Sequence, residues 1–377
     1  MIDSRPLFLF GTLRDPNLLE IVAGERCETH PATLLGYDTR AVEGEVFPIL
    51  VKDTGATADG FCLKDVSPEV MIRLDFYETL FDYMRIGVEI ACDGALITAD
   101  VYVPPEGRWQ ASDMAWDLDS WIINEGALSA LAAQELLERR ETTSEKTLRA
   151  LLPSIRSRAH AKLLAKARPA PTLLRRKTDV GDMAVLKHGY SHDGFFRVAK
   201  FVSQAKRYDG AEGVQLSREA FVGFDAALLL PYDPATDLVM LIEQARFGAL
   251  WRGDPEVFVL EPIAGLVDAG EDPVETARRE AVEEAGLTLS EIRPIMAGYP
   301  APGYVTEYHH CFLGLCDLSP DMAGIGGLVS ESEDIRSHVI PFETAMALLR
   351  SGEINAVPLA MMLLWLAQQR DTLRQGI

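Results

Sequence analysis

The chain of 377 residues carries 36 Lys and Arg against 57 Asp and Glu, a formal net charge of −21, and 48% of it is hydrophobic. That length accommodates two domains with full cores, and the acidity argues against nucleic acid as a partner, because phosphate backbones are met by basic surfaces. The charge is uneven, however: residues 139 to 177 hold twelve Lys/Arg and two Asp/Glu, so a basic connector joins acidic bodies.

The first apolar run, "PLFLF", is too short for a secretory leader and has no basic region before it. The late run "VPLAMMLLWLA" is too short to cross a bilayer and is expected as a buried helix. Cysteines at 27, 62, 92, 311 and 316 form neither a CxxC pair nor a disulfide framework, and the seven histidines lack zinc-ligand spacing. A cytoplasmic protein without membrane contact is expected.

In chain order, "LFLFGTLR" places Phe10, Gly11, Thr12 and Leu13 in a loop after a first strand, and "LDFYE" ends on Glu78. With "EGEVFPILV" and "MIRLDFYETLFDYMRIGVEI", these pieces make residues 1–135 resemble the γ-glutamylcyclotransferase-like family. The resemblance implies a small domain of β-barrel and helices, in which backbone amides of the loop hold a substrate carboxylate. Glu78 matches the glutamate that moves the proton when a γ-glutamyl amine attacks its own amide carbonyl, and burial would suit its pKa to that role. Phe10 stands where many relatives have tyrosine and Thr79 where glycine is frequent. Catalysis, ligand binding or regulation, and a structural role all stay open for this domain.

Residues 136–178 form the connector. "EKTLRALLPSIRSRAHAKLLAKARPAPTLLRRK" has a helical pattern interrupted at Pro153 and ended by "PAP". It is expected as a solvated linker helix docked on an acidic body, with RNA or membrane contact as the alternative.

Residues 179–377 alternate strands and helices. "FDAALLLPYDPATDLVMLIEQAR" predicts a hairpin turning at Asp233-Pro234, and "EVFVLEPIAG" a further strand. Mixed strands with flanking helices predict an α/β/α sandwich with a mixed sheet, so the whole chain is of α/β (α+β) class. Between the strands lies "GLVDAGEDPVETARREAVEEAGL". Asp272 as N-cap, Pro273 at the first position and Gly286 as a stop predict a helix from about Pro273 to Ala285. Glu280, Glu283 and Glu284 then share one face and repel, by roughly 1 kcal/mol per pair at ~5 Å in water. Such a face is either solvated or built for a divalent cation.

Gly265, Glu271, Arg279, Glu280, Glu283, Glu284, Gly286 and Leu287 fill the fixed positions of the loop-helix-loop motif of the Nudix hydrolases, which this stretch resembles. With Pro302 fifteen residues past Leu287 and the acidic loop "LVSESEDIRSHVI", the chain from about Gly194 resembles the ADP-ribose pyrophosphatases. The resemblance implies hydrolysis of ADP-ribose to AMP and ribose 5-phosphate with Mg²⁺, Mn²⁺ being the alternative. It assigns Glu280, Glu283, Glu284, Glu333 and the main-chain carbonyl of Ala264 to the metal, Glu331 to the general base, and Glu271 and Arg279 to orienting the ligands. Phe195, Arg218 and Arg246 match the groups that hold the adenine-ribose end, partly across a homodimer formed by this domain. Phe195 as plain core and Arg218 as a partner for a carboxylate remain open. So do GDP-mannose or another nucleotide sugar as substrate, and a sensor that keeps the fold. The fusion of the two domains resembles bacterial proteins named for tellurite resistance.

Overall fold

In the computed structural model, which describes residues 5–328 and 333–375, the chain forms two units, Met1–Arg168 and Pro169–Ile377. The first comprises β1 (Leu7–Leu9), α1 (Pro16–Ala23), β2 (His30–Val42), β3 (Pro48–Leu63), α2 (Pro68–Thr79), β4 (Met84–Cys92), β5 (Ala95–Val103), β6 (Ala111–Ala115), α3 (Leu118–Trp121), a π-turn (Ile122–Gly126), α4 (Ala127–Glu138) and α5 (Glu145–Ala167). The strands run in the order β3-β1-β5-β4-β2, and β2 pairs again with β3, which closes a five-stranded barrel. Closure depends on Gly60. A Cβ there would lie 2.3 Å from the Leu9 carbonyl oxygen and 2.6 Å from the Phe8 ring, so only glycine lets β3 cross β1 so closely.

α1 begins where the sequence permits a sharp start. The Asp15 carboxylate accepts hydrogen bonds from the N–H groups of Asn17 and Leu18, Pro16 fills the first position, and Gly24 at φ +83° ends the helix. The loop Phe10–Leu13 is thereby held between β1 and α1.

The segment expected as a solvated linker helix docked on an acidic body is docked on the first unit, with one face buried rather than solvated. α5 runs unbroken through Pro153 and packs on α4, with Leu148, Leu151 and Ile155 buried. That burial outweighs the roughly 3 kcal/mol a proline costs inside a helix. The two helices also share charge: Glu135 of α4 accepts from Arg139 at 3.2 Å and from Nε of Arg158 at 3.2 Å, and all three side chains are buried. The connector thus contributes its residues up to Arg168 to the first unit.

The second unit comprises β7 (Met183–Asp193), β8 (Arg197–Ala205), β9 (Leu216–Val222), β10 (Asp225–Asp233), β11 (Leu238–Ala245), α6 (Phe247–Arg252), β12 (Phe258–Glu261), β13 (Ile263–Leu266), α7 (Pro273–Ala285), β14 (Glu291–Gly298), β15 (Tyr308–Leu315), β16 (Ile325–Gly326), β17 (Ile335–Pro341), α8 (Phe342–Ser351) and α9 (Val357–Gln375). β7, β8 and β9 form an antiparallel sheet of their own, while the order β14-β15-β10-β11-β17-β16, with β12 on β11 and β13 on β10, makes a mixed sheet. Every residue of β10 is buried, as expected of a central strand covered on both faces. Ala226, Leu228, Leu230 and Tyr232 pack with Leu359, Met362, Leu363 and Leu366 of α9, while α7 covers the opposite face. This is the α/β/α sandwich the alternating pattern predicts. The hairpin turns at Asp233, whose carboxylate accepts from the N–H groups of Ala235 and Thr236. Among the described residues no helix is long and apolar enough to cross a membrane.

Candidate active site

α7 occupies the residues its end signals predict. Asp272 accepts from the Val274 N–H at 3.0 Å, and Gly286 at φ +63° lets the N–H groups of Gly286 and Leu287 return to the carbonyls of Val282 and Ala281. Fixed at both ends, the helix turns Glu280 and Glu284 inward, where they are 8% and 1% exposed. Gly265 makes room for the first. A Cβ at position 265 would lie 1.8 Å from Oε1 of Glu280, so the carboxylate rests against bare backbone of β13. Glu284 is tied to the same strand, its Oε2 accepting the Ala264 N–H at 3.1 Å.

Burial, with Glu283 and Glu333 nearby, pushes the Glu280 carboxyl up to about 7 against the opposing pull of Arg279. Burial, reinforced by Glu280 and Glu333, pushes Glu284 up to about 8 although the Ala264 N–H favours the anion. Glu333 is anchored at its own end: its N–H donates to the Leu328 carbonyl and its Oε2 accepts the Leu328 N–H at 3.1 Å. Arg279 organises the rest. Its Nη1 donates to Oε1 of Glu280 at 2.7 Å and to Oε2 of Glu283 at 3.0 Å, and its Nε and Nη2 hold Glu271. Although burial opposes it, bonds from Arg279 and Thr276 keep the Glu271 carboxyl low.

Glu280, Glu333, Ala264, Gly265 and Arg279 line a cavity of about 570 Å³, and Arg246, Glu261, Glu307 and His309 line its other walls. Nε of Arg246 donates to Glu261 at 2.6 Å, and burial raises the Glu261 carboxyl. Among the described residues no three acidic, histidine or cysteine side chains already converge in metal-ligand geometry. The donors nonetheless suit a hard divalent cation: all are oxygen, burial and neighbouring carboxylates raise two of them, and a guanidinium already bridges Glu280 and Glu283.

Two expected substrate residues lie elsewhere. Phe195 is 47% exposed and meets Phe196 and Phe224 edge-on or tilted at 4.8 and 5.5 Å, and the exposed Arg218 donates to the Ser217 carbonyl from β9. Neither lines the cavity of its own chain. Glu331 lies outside the described residues. Sequence reasoning missed Glu261 and His309 as wall residues, since a single carboxylate or imidazole on a strand has no spacing to mark it.

The barrel unit holds a second cavity, of about 90 Å³, lined by Phe10, Gly11, Thr12 and Leu13 and by Glu78 at the end of α2. Glu78 is partly buried, and burial pushes its carboxyl up to about 8. Tyr77, Tyr83 and Tyr102 complete that wall, with the hydroxyls of Tyr83 and Tyr102 donating to the Pro48 carbonyl and to Asp75. Trp121 and Arg156, which no sequence pattern singled out, also line it.

Comparison with known proteins divides the chain in the same way. A model described as γ-glutamyl cyclotransferase, AIG2-like, matches residues 7–121, and a Nudix domain model matches residues 224–359. An ADP-ribose pyrophosphatase of Escherichia coli (strain K12) is 33% identical over 193 residues, covering 51% of this chain and 91% of that protein. One from Haemophilus influenzae is 33% identical over 197 residues, covering 52% and 90%. A GDP-mannose pyrophosphatase of Salmonella paratyphi B is 32% identical over 173 residues, covering 46% and 88%.

Proposed function

The chain belongs to the Nudix hydrolases through its second unit, and from that premise we propose that it hydrolyses the pyrophosphate bond of ADP-ribose to AMP and ribose 5-phosphate with a divalent cation. The observation that carries the reading is the crowding of Glu280, Glu284 and Glu333, two of them with carboxyls raised to about 7 and 8, beside a cavity large enough for a nucleotide conjugate. A solvated acidic face would show neither the burial nor the raised values.

Mg²⁺, or Mn²⁺ in its place, supplies charge neutralisation at the pyrophosphate and a more acidic bound water. Glu280, Glu283, Glu284, Glu333 and the Ala264 carbonyl would hold it. The chain's own residues do the remainder. Arg279, braced by Glu271, fixes the direction of Glu280 and Glu283. Arg246 presents a guanidinium to a phosphate oxygen at the cavity wall. Glu331 takes the proton of the attacking water as its oxygen bonds to one phosphorus and the bridging oxygen leaves with the other phosphate.

Exposed apolar side chains favour a homodimer through the second unit. Val185, Leu186, Tyr190, Phe195, Phe196 and Leu216, on and between β7, β8 and β9, are 40–60% exposed, a patch of the kind that marks an interface. Pairing there would deliver Phe195 and Arg218 to the adenine-ribose end of a partner's cavity. Five free cysteines suit a reducing cytoplasm.

The similarity to a GDP-mannose pyrophosphatase supports a second substrate reading. AMP release from ADP-ribose and GMP release from GDP-mannose, each measured with Mg²⁺ and with chelator, decide between them. Absence of both, with binding retained, would favour a sensor. For the first unit, the cavity with Phe10–Leu13 and Glu78 supports a site for γ-glutamyl compounds, as a cyclotransferase that releases 5-oxoproline or as a binding module.

A further inference from the structure

The family match on the first unit ends at Trp121, yet the cavity does not. One side of it is built by Ser129, Ala132, Ala133 and Leu136 of α4 and by Leu152 and Arg156 of α5. Arg156 is the one cationic side chain among the lining residues, and Glu78 the one carboxylate. Because burial raises Glu78 to about 8, that carboxylate is mostly neutral at pH 7. The guanidinium is half-buried and gives Nη2 to Oε2 of Glu125 at 2.9 Å. A guanidinium has five N–H donors, so most of its capacity is left for a ligand.

One departure from regular helix and one helical proline flank this pair. Glu125 sits in the π-turn Ile122–Gly126, and Pro153 lies inside α5 one turn before Arg156. π-turns recur at functional sites, where the extra residue re-aims a side chain. Trp121 supplies an independent sign. It lines the cavity, is 5% exposed, and its indole N–H has no acceptor among the described residues. A buried donor without an acceptor is costly unless something supplies the missing oxygen.

We propose that Arg156 is a specificity-determining residue of the first unit, pairing with the carboxylate of a small γ-glutamyl-type ligand so that the cavity selects anionic compounds over their neutral amides. The proposal rests on the reading of this cavity as a γ-glutamyl-compound site. The loop Phe10–Leu13 offers only neutral donors, its backbone N–H groups and the Thr12 hydroxyl, whereas Arg156 adds a full charge in a partly desolvated place, where a planar fork matches a carboxylate. Glu125 holds the guanidinium when the cavity is empty of ligand and competes with the incoming anion.

The test uses the full chain and two probes, 5-oxoproline and its uncharged amide, titrated by calorimetry. The wild type should bind the acid about tenfold or more tightly than the amide. Arg156→Gln should erase that preference while changing affinity for the amide less than about twofold, and Arg156→Lys should recover part of it. Glu125→Gln should tighten the acid severalfold, because a competitor is removed, an effect that a purely structural role for the pair would not produce. Circular dichroism verifies the fold; if Arg156→Gln does not fold, Arg156→Lys and Glu125→Gln carry the decision. A preference that survives Arg156→Gln, a Glu125→Gln variant that weakens both probes alike, or a wild type with no preference or no binding would overturn the proposal. The underlying γ-glutamyl reading is judged separately, by 5-oxoproline release from γ-glutamyl amines.

Discussion

The main-chain N–H of Ala264 and the carboxylate of Glu284 are joined at 3.1 Å, so the motif helix and β13 share one buried acid. An amide can accept the same bond without a charge. Glu284→Gln should therefore leave the metal-free protein equally or more stable, by about 2–4 °C in Tm for each kcal/mol of repulsion relieved, while raising the Mg²⁺ concentration for half activity and slowing turnover. A melt in chelator well below wild type would mean that the charge on Glu284 stabilises the fold.

Gly265→Ala should act on the same site without touching a carboxylate. Its Cβ would intrude on Glu280 at 1.8 Å and must displace it. The expected result is a metal requirement raised about 10–100-fold, the range seen when support for a ligand is lost, with little change in the circular dichroism spectrum. Unaltered Mg²⁺ dependence would remove Glu280 from the metal site.

Glu331 and Glu333 should separate kinetically. Glu331→Gln should lower kcat by roughly 10²–10⁴, the usual worth of a general base, with KM and Mg²⁺ dependence nearly unchanged. Glu333→Gln should raise the Mg²⁺ requirement, with part of the rate recovered at high metal. Retention of more than about a third of kcat by Glu331→Gln would rule it out as the base, and Glu307, on the cavity wall, would come next.

Glu78 predicts a pH dependence of known sign. Burial lifts its carboxyl from 4.5 to about 8 in the folded chain. The fold thus favours the protonated form: the contribution is full below about pH 4.5 and is lost as pH rises through 8. Between about pH 5 and 8 the wild-type first unit should lose Tm more steeply than Glu78→Gln. Parallel profiles would show that Glu78 ionises as an ordinary surface acid.

A fragment from Pro169 to Ile377 should cleave ADP-ribose at near the full rate, because every residue assigned to that site falls in the second unit. A folded, dimeric fragment without activity would show that the first unit takes part.

What could be read in advance was local. Asp272 and Pro273 mark one end of α7 and Gly286 the other, and helical spacing then fixes which carboxylates share a face. Gly265 was legible as a motif position, although its reason, the Glu280 carboxylate against the strand, belongs to contacts between elements. The connector misled for the same cause. Glu135 and Arg139 stand four apart, as a helical ion pair does, but nothing in the spacing of Arg158 shows that it converges on the same acid. Phe195 and Arg218 are legible only as a resemblance, since the single chain does not carry them to the cavity.

The shared Glu135 sets how the first unit can be moved between proteins. One acid pairs with arginines on two helices, so a boundary drawn between α4 and α5 would strand a desolvated carboxylate on α4 and strip the apolar side chains of α5 packed there, while one drawn at the end of the barrel match would remove both helices. As a portable module the barrel must travel with both helices, through Arg168.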